Sequence, residues 1–223
     1  MKSDEKVLLM ILKYRKIMLG ELVGLTGYSD RFLLSILSSN SDSLTINGEE
    51  IIATDPISIA LKLLNRGLRI EQISEYLSWR DFEVISSYVL SEFNFEVVHG
   101  VKITRPVRFE IDILGIDIAT GFSLAVDCKH WSVSSGAKLA EAATKHRERI
   151  HKFARYFLYA TSRYRVLEKT RNIVPLIVTL LTPSLRLHKG VLIVSIKELP
   201  QLIREKYDIV DFFGVTPIPV NNN

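Results

Sequence analysis

The chain reads as an α/β protein built on a mixed β-sheet, with a smaller helical segment ahead of it. Three observations predict this. Ile173–Leu181 and Val191–Ile196 are continuous apolar runs, as expected of strands covered on both faces. Phe109–Ile113 and Ala125–Lys129 alternate apolar and polar residues, the period of a strand with one polar face. Between those two sets, Gly136 to about Tyr159 repeats Leu139, Ala143, Ile150, Ala154 and Phe157 near the helical period, so a helix crosses from one strand to the next.

The elements follow in order. Glu5–Lys16 is an amphipathic helix with Val7, Leu8, Ile11 and Leu12 at core spacing. Leu19–Thr26 is a second, ended by Gly27, and Ser29-Asp30 caps a third over Arg31–Ser38, which is expected to bury Phe32, Leu33, Ile36 and Leu37. Leu44–Ala53 carries Asn47-Gly48 at its centre, which suits a type I′ hairpin turn. Three helices and a hairpin within ~55 residues make a winged helix-turn-helix. Its candidate recognition helix offers DNA one cation, Arg31, with Ser35, Ser38, Ser39 and Asn40; winged helices also dock proteins, and both uses fit. Residues 1–55 thus form one domain and residues 56–78 a helical connector. Ser78-Trp-Arg-Asp81 is a capping box that starts the next helix, Trp79 to about Phe93. Asn94–Thr104, rich in Phe, Val and Ile, is the first strand of a meander. Pro175 argues against full pairing of its strand unless it sits at the strand start. Lys197–Lys206 closes the domain, 79–215, as a helix, leaving residues 216–223 as a tail.

Composition limits what such a chain can do. The 223 residues are 47% hydrophobic, enough for one large or two small cores. A single cysteine excludes a disulfide framework and a four-cysteine zinc site, and points to the reducing cytoplasm. The N-terminus has no signal-peptide pattern, and no apolar run is long enough to span a bilayer. The net charge of +4 is unevenly spread: Lys129–Arg171 holds eleven basic residues against Glu141, Glu148 and Glu168. Lys138, Lys145, Arg149 and Lys152 recur along one stripe of the crossover helix, placed to track a phosphate backbone. A solvated helix face is the alternative. Arg163, Arg165, Lys169 and Arg171 form a second basic group.

The chemistry concentrates on the two alternating strands. Asp127 and Lys129 share a face, as do Glu110 and Asp112, opposite Phe109, Ile111 and Ile113. A turn near Thr120-Gly121 brings these faces together. Carboxylates set so close repel unless a hard cation lies between them, and Mg²⁺ prefers one or two carboxylates plus water and phosphate oxygens. A neighbouring lysine steadies developing phosphate charge or helps to activate a water. Asp127 and Lys129 could equally form an ion pair at a sheet edge, and Glu110 a solvent-facing strand residue. Asp117 belongs to the hairpin turn. Cys128 reads as a small buried hydrophobe, His99, His130 and His146 as structural, and Trp131 as a core cap or a base-stacking ring.

Asp112 followed by Asp127-Cys-Lys129, with Glu83 on the preceding helix, resembles the PD-(D/E)xK nuclease superfamily. Over roughly residues 79 to 200 the pattern looks closest to Mrr-type restriction endonucleases and archaeal Holliday junction resolvases. No proline precedes Asp112, which follows Ile111 instead, an aliphatic replacement that many members share. The resemblance implies a restriction-endonuclease-like mixed sheet flanked by helices. It also implies a metal-dependent DNA endonuclease in which Asp112, Asp127, Glu83 and the Cys128 carbonyl hold Mg²⁺ (or Mn²⁺) and Lys129 serves the reaction. Resolvase-like members work as homodimers. The competing expectation is a non-catalytic DNA-binding or regulatory protein with a nuclease-like docking domain.

Overall fold

In the computed structural model, which describes residues 2–105, 107–129 and 135–220, the chain forms a mixed α/β fold. His130 and Trp131 lie outside the described residues. The chain divides into two compact units, Met1–Asp81 and Phe82–Asn223. No helix among the described residues is long and apolar enough to cross a membrane.

The first unit runs α1 (Ser3–Tyr14), β1 (Lys16–Met18), α2 (Leu19–Thr26), α3 (Asp30–Ser38), β2 (Leu44–Asn47), β3 (Glu50–Ala53), α4 (Pro56–Asn65) and α5 (Ile70–Ile73). The order is helix, strand, two helices, two strands and two further helices. β1, β3 and β2 form a three-stranded antiparallel sheet, and β1 is a strand where the helical pattern of α1 was expected to continue to Lys16. α3 buries Leu33, Ile36 and Leu37, whereas Phe32, at the margin of that stripe, stays 42% exposed and meets Tyr28 edge-on. Asn47 pairs with Glu50, so the hairpin loop is Gly48-Glu49. Gly48 has φ of +64° and Glu49 a negative φ, the pattern of a type II′ turn rather than the expected I′. Residues 56–78 do not stand apart as a connector: α4 buries Ile59, Ala60 and Leu63 within this unit.

The capping box is present as read. The Ser78 amide donates to Asp81 Oδ2 at 2.8 Å and the Asp81 amide to Ser78 Oγ at 3.2 Å. It opens α6 (Trp79–Glu92), whose later turns belong to the second unit. There follow β4 (Glu96–Ile103), β5 (Phe109–Ile116), β6 (Phe122–Lys129), α7 (Gly136–Arg155), α8 (Phe157–Thr161), β7 (Asn172–Thr179), β8 (Leu187–His188), β9 (Val191–Ser195), α9 (Leu199–Arg204), α10 (Lys206–Phe212) and β10 (Ile218–Pro219). The seven-stranded sheet has the order β4-β5-β6-β7-β9-β8, with β10 also on β7. β4, β5 and β6 are an antiparallel meander; β6, β7 and β9 run parallel, β6 and β7 joined by the crossover that contains α7 and α8. β6 and β7 are buried almost throughout because both their faces are covered, which is why their apolar runs are continuous.

Pro175 sits inside β7, paired with Ala125 on the β6 side. On the other side of β7, β10 occupies Asn172 and Ile173, and β9 starts at Leu176. The proline falls in the gap between them, where its missing amide loses no partner. The same β10 corrects the expected tail: Ile218 and Val220 are buried in the main core, so residues 216–220 belong to the fold.

α7 lies on the sheet through Leu139, Ala143, His146, Ile150 and Phe153. Its core cluster joins Ile150, Phe153 and Phe157 to Phe109, Ile111, Leu114, Ile116 and Ala125. Strict alternation cannot send both Phe109 and Ile111 and Leu114 and Ile116 into one cluster, so the expected faces of β5 hold only in part. The change of face falls at Asp112. Across the ladder stands Gly100, between the His99–Ile113 and Val101–Ile111 pairs, with φ of +55°. Gly100 and Asp112 are the two positions left out of this otherwise unbroken ladder.

An added Cβ at Gly100 would meet nothing within 4 Å, so only the backbone demands glycine there. Gly100→Ala is therefore expected to destabilise the second unit by about 1–2 kcal/mol. Urea unfolding monitored by circular dichroism would measure it. A change near zero would mean that β4 does not need the left-handed residue.

Candidate active site

Asp112 and Asp127 lie on adjacent strands of the sheet, β6 being an inner strand. They follow the last paired residues of the β5–β6 ladder, Ile113 and Val126, in register with each other. Asp127 is 3% exposed. Its Oδ2 lies 2.7 Å from Lys129 Nζ, and its Oδ1 accepts from Arg149 Nη1 at 3.1 Å. The Asp127–Lys129 ion pair thus exists, but in the interior of the sheet instead of at an edge. Asp112 reaches across to the next strand, where its Oδ2 accepts the Cys128 amide at 2.9 Å.

The two carboxyls respond to burial in opposite ways. Burial, and then the neighbouring Asp127 charge, push Asp112 up to about 6. Burial also opposes the charge of Asp127, but His146, Lys129 and Arg149 hold that carboxyl below its usual range. Burial drives the His146 ring itself toward its neutral form, so the lysine and arginine cations carry the effect. His146 is fully buried, with Nε2 2.8 Å from the Ala125 carbonyl and Nδ1 without a hydrogen-bond partner. As a neutral ring it donates from Nε2 and turns a bare lone pair inward.

The other expected residues divide. Lys138, Lys145 and Arg149 line a cleft of about 250 Å³ together with Asp127, Lys129, Glu141 and Ala142. Lys145 pairs with Glu141 at 2.6 Å, and Arg149 spends one guanidinium nitrogen on Asp127 instead of standing free for phosphate. Lys152 is exposed but outside that lining, and Arg31 is exposed on α3 in the first unit. Glu110 is a surface residue paired with Lys102 across the ladder. Asp117 accepts the Ala119 amide within the β5–β6 turn.

Glu83 approaches from the other side. It is half-buried on α6, and its charge, like that of Asp112, works with burial to push the Cys128 thiol up, while Ser86 contacts that thiol. Cys128 points away from Asp127 along the strand, so Glu83 faces the opposite side of β6. Among the described residues, no three His, Cys, Asp or Glu side chains converge to hold a metal ion. The Cys128 amide is bonded to Asp112. The donor set therefore fits one Mg²⁺ held by Asp112 and Asp127 and completed by water or phosphate oxygens, which is the coordination Mg²⁺ favours. It does not present the three-acid cradle of a second ion.

The contact of Arg149 with Asp127 escaped the sequence reading, which put this arginine on the phosphate-tracking stripe; His146, read as structural, is buried with its ring on the Ala125 carbonyl. Leu139, Ala143, His146, Ile150 and Phe153 share one helical stripe, so a polar ring on an apolar stripe was the available signal for His146. Nothing local marks Arg149 apart from the other cations of its stripe.

No family model matches the chain, and no curated protein matches it. Among solved structures, the crystal structure of protein VC1899 from Vibrio cholerae aligns over 95% of this chain and 52% of that one, with 13% identity and a TM-score of 0.35. The chain thus spans about half the length of that protein.

The raised Asp112 has a direct consequence for stability. Its folded value of about 6 lies above the ordinary carboxyl value of 3.8. The fold thus favours the protonated form, and that contribution is present below pH ~4 and lost as pH rises through ~6. Asp112→Asn keeps an acceptor for the Cys128 amide and removes the charge. In metal-free buffer at pH 8 it is expected to be more stable than wild type by about 2 kcal/mol, with the gap closing near pH 4. Urea titrations at the two pH values would show it. Equal stability at pH 8 would mean that the Asp112 carboxylate is already compensated.

Proposed function

We propose that the protein is a metal-dependent deoxyribonuclease that hydrolyses phosphodiester bonds inside a DNA strand, of the PD-(D/E)xK type, in repair, recombination or restriction. One observation carries this reading: two acidic groups on adjacent strands, Asp127 paired with Lys129 and Arg149 in a cleft walled by cations, and Asp112 bonded to the Cys128 amide and held at raised affinity for protons. A structural ion pair has no need of the second carboxyl.

In this reading Asp112 and Asp127 hold Mg²⁺, or Mn²⁺ in its place. Bound there, the ion supplies Lewis-acid polarisation of a phosphate oxygen and a water of lowered pKa. The chain's own groups do the rest. The Asp112 side chain is anchored by the Cys128 amide, so it presents its other oxygen in a fixed direction. Lys129 carries its ammonium beside the reacting phosphate, where it offsets the charge that builds in the transition state. Lys138 and Lys145 lie along the same cleft and grip flanking phosphates, which sets position without reading sequence. Arg149 braces Asp127 against its own burial.

A second reading rests on one fact: both Asp127 oxygens already have cationic partners. On that basis the pair is structural, and the protein is a non-catalytic, winged-helix DNA-binding regulator. Cleavage assays with Mg²⁺ or Mn²⁺ on linear duplex, single-stranded, supercoiled and four-way-junction DNA separate the two. The nuclease reading expects wild type to cut at least one form, and Lys129→Ala to lose roughly 10²–10³-fold in rate. A readout independent of turnover accompanies it: Mg²⁺ should raise the melting temperature of wild type and leave that of Asp112→Asn unchanged. DNA binding with neither cleavage nor a Mg²⁺-induced shift would favour the regulator.

A further inference from the structure

The second basic group of the sequence has no part in the chemistry above, yet it lies beside an exposed aromatic ring. Tyr159 on α8 is 56% exposed, its ring 6.3 Å from that of Tyr156. The helical hydrogen bonding runs on past α8, from the Ser162 amide to Leu158 and from the Tyr164 amide to Ala160. Tyr159 and Arg163 are therefore neighbours, one turn apart. The Arg163 guanidinium lies 5.5 Å from the centre of the Tyr164 ring.

This ledge is tied to the sheet close to the carboxylates. The Lys102 amide lies 3.5 Å from the Tyr164 hydroxyl, and the Lys102 carbonyl 3.4 Å from Arg163 Nη1. Lys102 pairs across the ladder with Glu110 at 3.0 Å. Glu110 stands two residues before Asp112 on β5, roughly 7 Å along the strand. Phe157 and Ala160 of α8 pack in the same cluster as Ala125, which shares its side of β6 with Asp127. The ledge and Asp127 thus lie on the same face of the sheet.

We propose that Tyr159, Arg163 and Tyr164 form a stacking platform for an unpaired base, which makes single-stranded DNA the substrate class; the inference rests on the nuclease reading for the cut that follows. The exposed Tyr159 ring and the Arg163 guanidinium beside it reward a base whose face is free, with Tyr164 half-buried beneath as support. The bases of a duplex are already stacked on one another and gain nothing there. Arg163 also supplies a cation for the adjoining phosphate.

The test is binding by the full chain in EDTA, where nothing can be cut, read by fluorescence anisotropy. The probes are a labelled single strand of about 20 nucleotides and the corresponding duplex, at one salt concentration. The platform expects wild type to bind the single strand roughly 10-fold or more tightly than the duplex. Tyr159→Ala and Arg163→Ala alter exposed residues and should each weaken single-strand binding roughly 5- to 100-fold while leaving the duplex unchanged. Tyr164→Phe keeps the ring and should bind as wild type does. Equal affinity for the two forms, no binding to either, or equal losses on both would overturn the proposal. Adding Mg²⁺ afterwards judges the nuclease reading separately. A protein that shows the binding pattern but cuts nothing keeps the platform and loses the enzyme.

Discussion

A carboxylate inside a β-sheet is tolerated only when something answers its charge, and Asp127 is such a group. It sits on an inner strand, almost wholly out of water. An isolated charge there would be several kcal/mol too costly to keep. Lys129 answers from two residues along the same strand, Arg149 from the crossover helix, and each takes one oxygen. The position of α7 is therefore coupled to the ionisation of β6. Helix register, strand pairing and site electrostatics form one arrangement rather than three.

α7 illustrates how a single element serves both packing and chemistry. One stripe of it, from Leu139 to Phe153, is buried against the sheet and supplies the apolar contact that fixes the helix. A neighbouring stripe, with Lys138, Lys145 and Arg149, forms the wall of the cleft. Because 3.6 residues make a turn, the two stripes lie side by side along the whole helix. Burial of the first sets the direction of the second.

Asymmetry between the two acids follows from their surroundings. Asp127 has cations on both oxygens, while Asp112 has one backbone amide and a nearby negative charge. The first stays ionised and the second holds a proton more readily. Pairs of titratable groups driven apart in this way are a common mark of functional sites, since one group alone gains nothing from the contrast.

Much of this was legible in the residues themselves. Continuous apolar runs, period-2 alternation and the 3.6-residue stripe of α7 are local properties, and they determined the mixed α/β sheet, its meander and its crossover. The same alternation put Asp127 and Lys129 on one face, and with Asp112 defined the candidate site. What only the tertiary structure decided depends on partners far apart in sequence. Arg149 was one cation among several until the helix packed and brought it to Asp127. His146 broke an apolar stripe, but its bond to the Ala125 carbonyl exists only across the sheet. Glu83 occupies the expected helix yet meets Cys128 from the far face, because α6 and α7 cover opposite sides of β6. Residues 216–220 were misjudged for the same reason, and the gap beside Pro175, which the proline itself signalled, is placed only by the pairing of β9 and β10: which segments pair is a property of the folded whole.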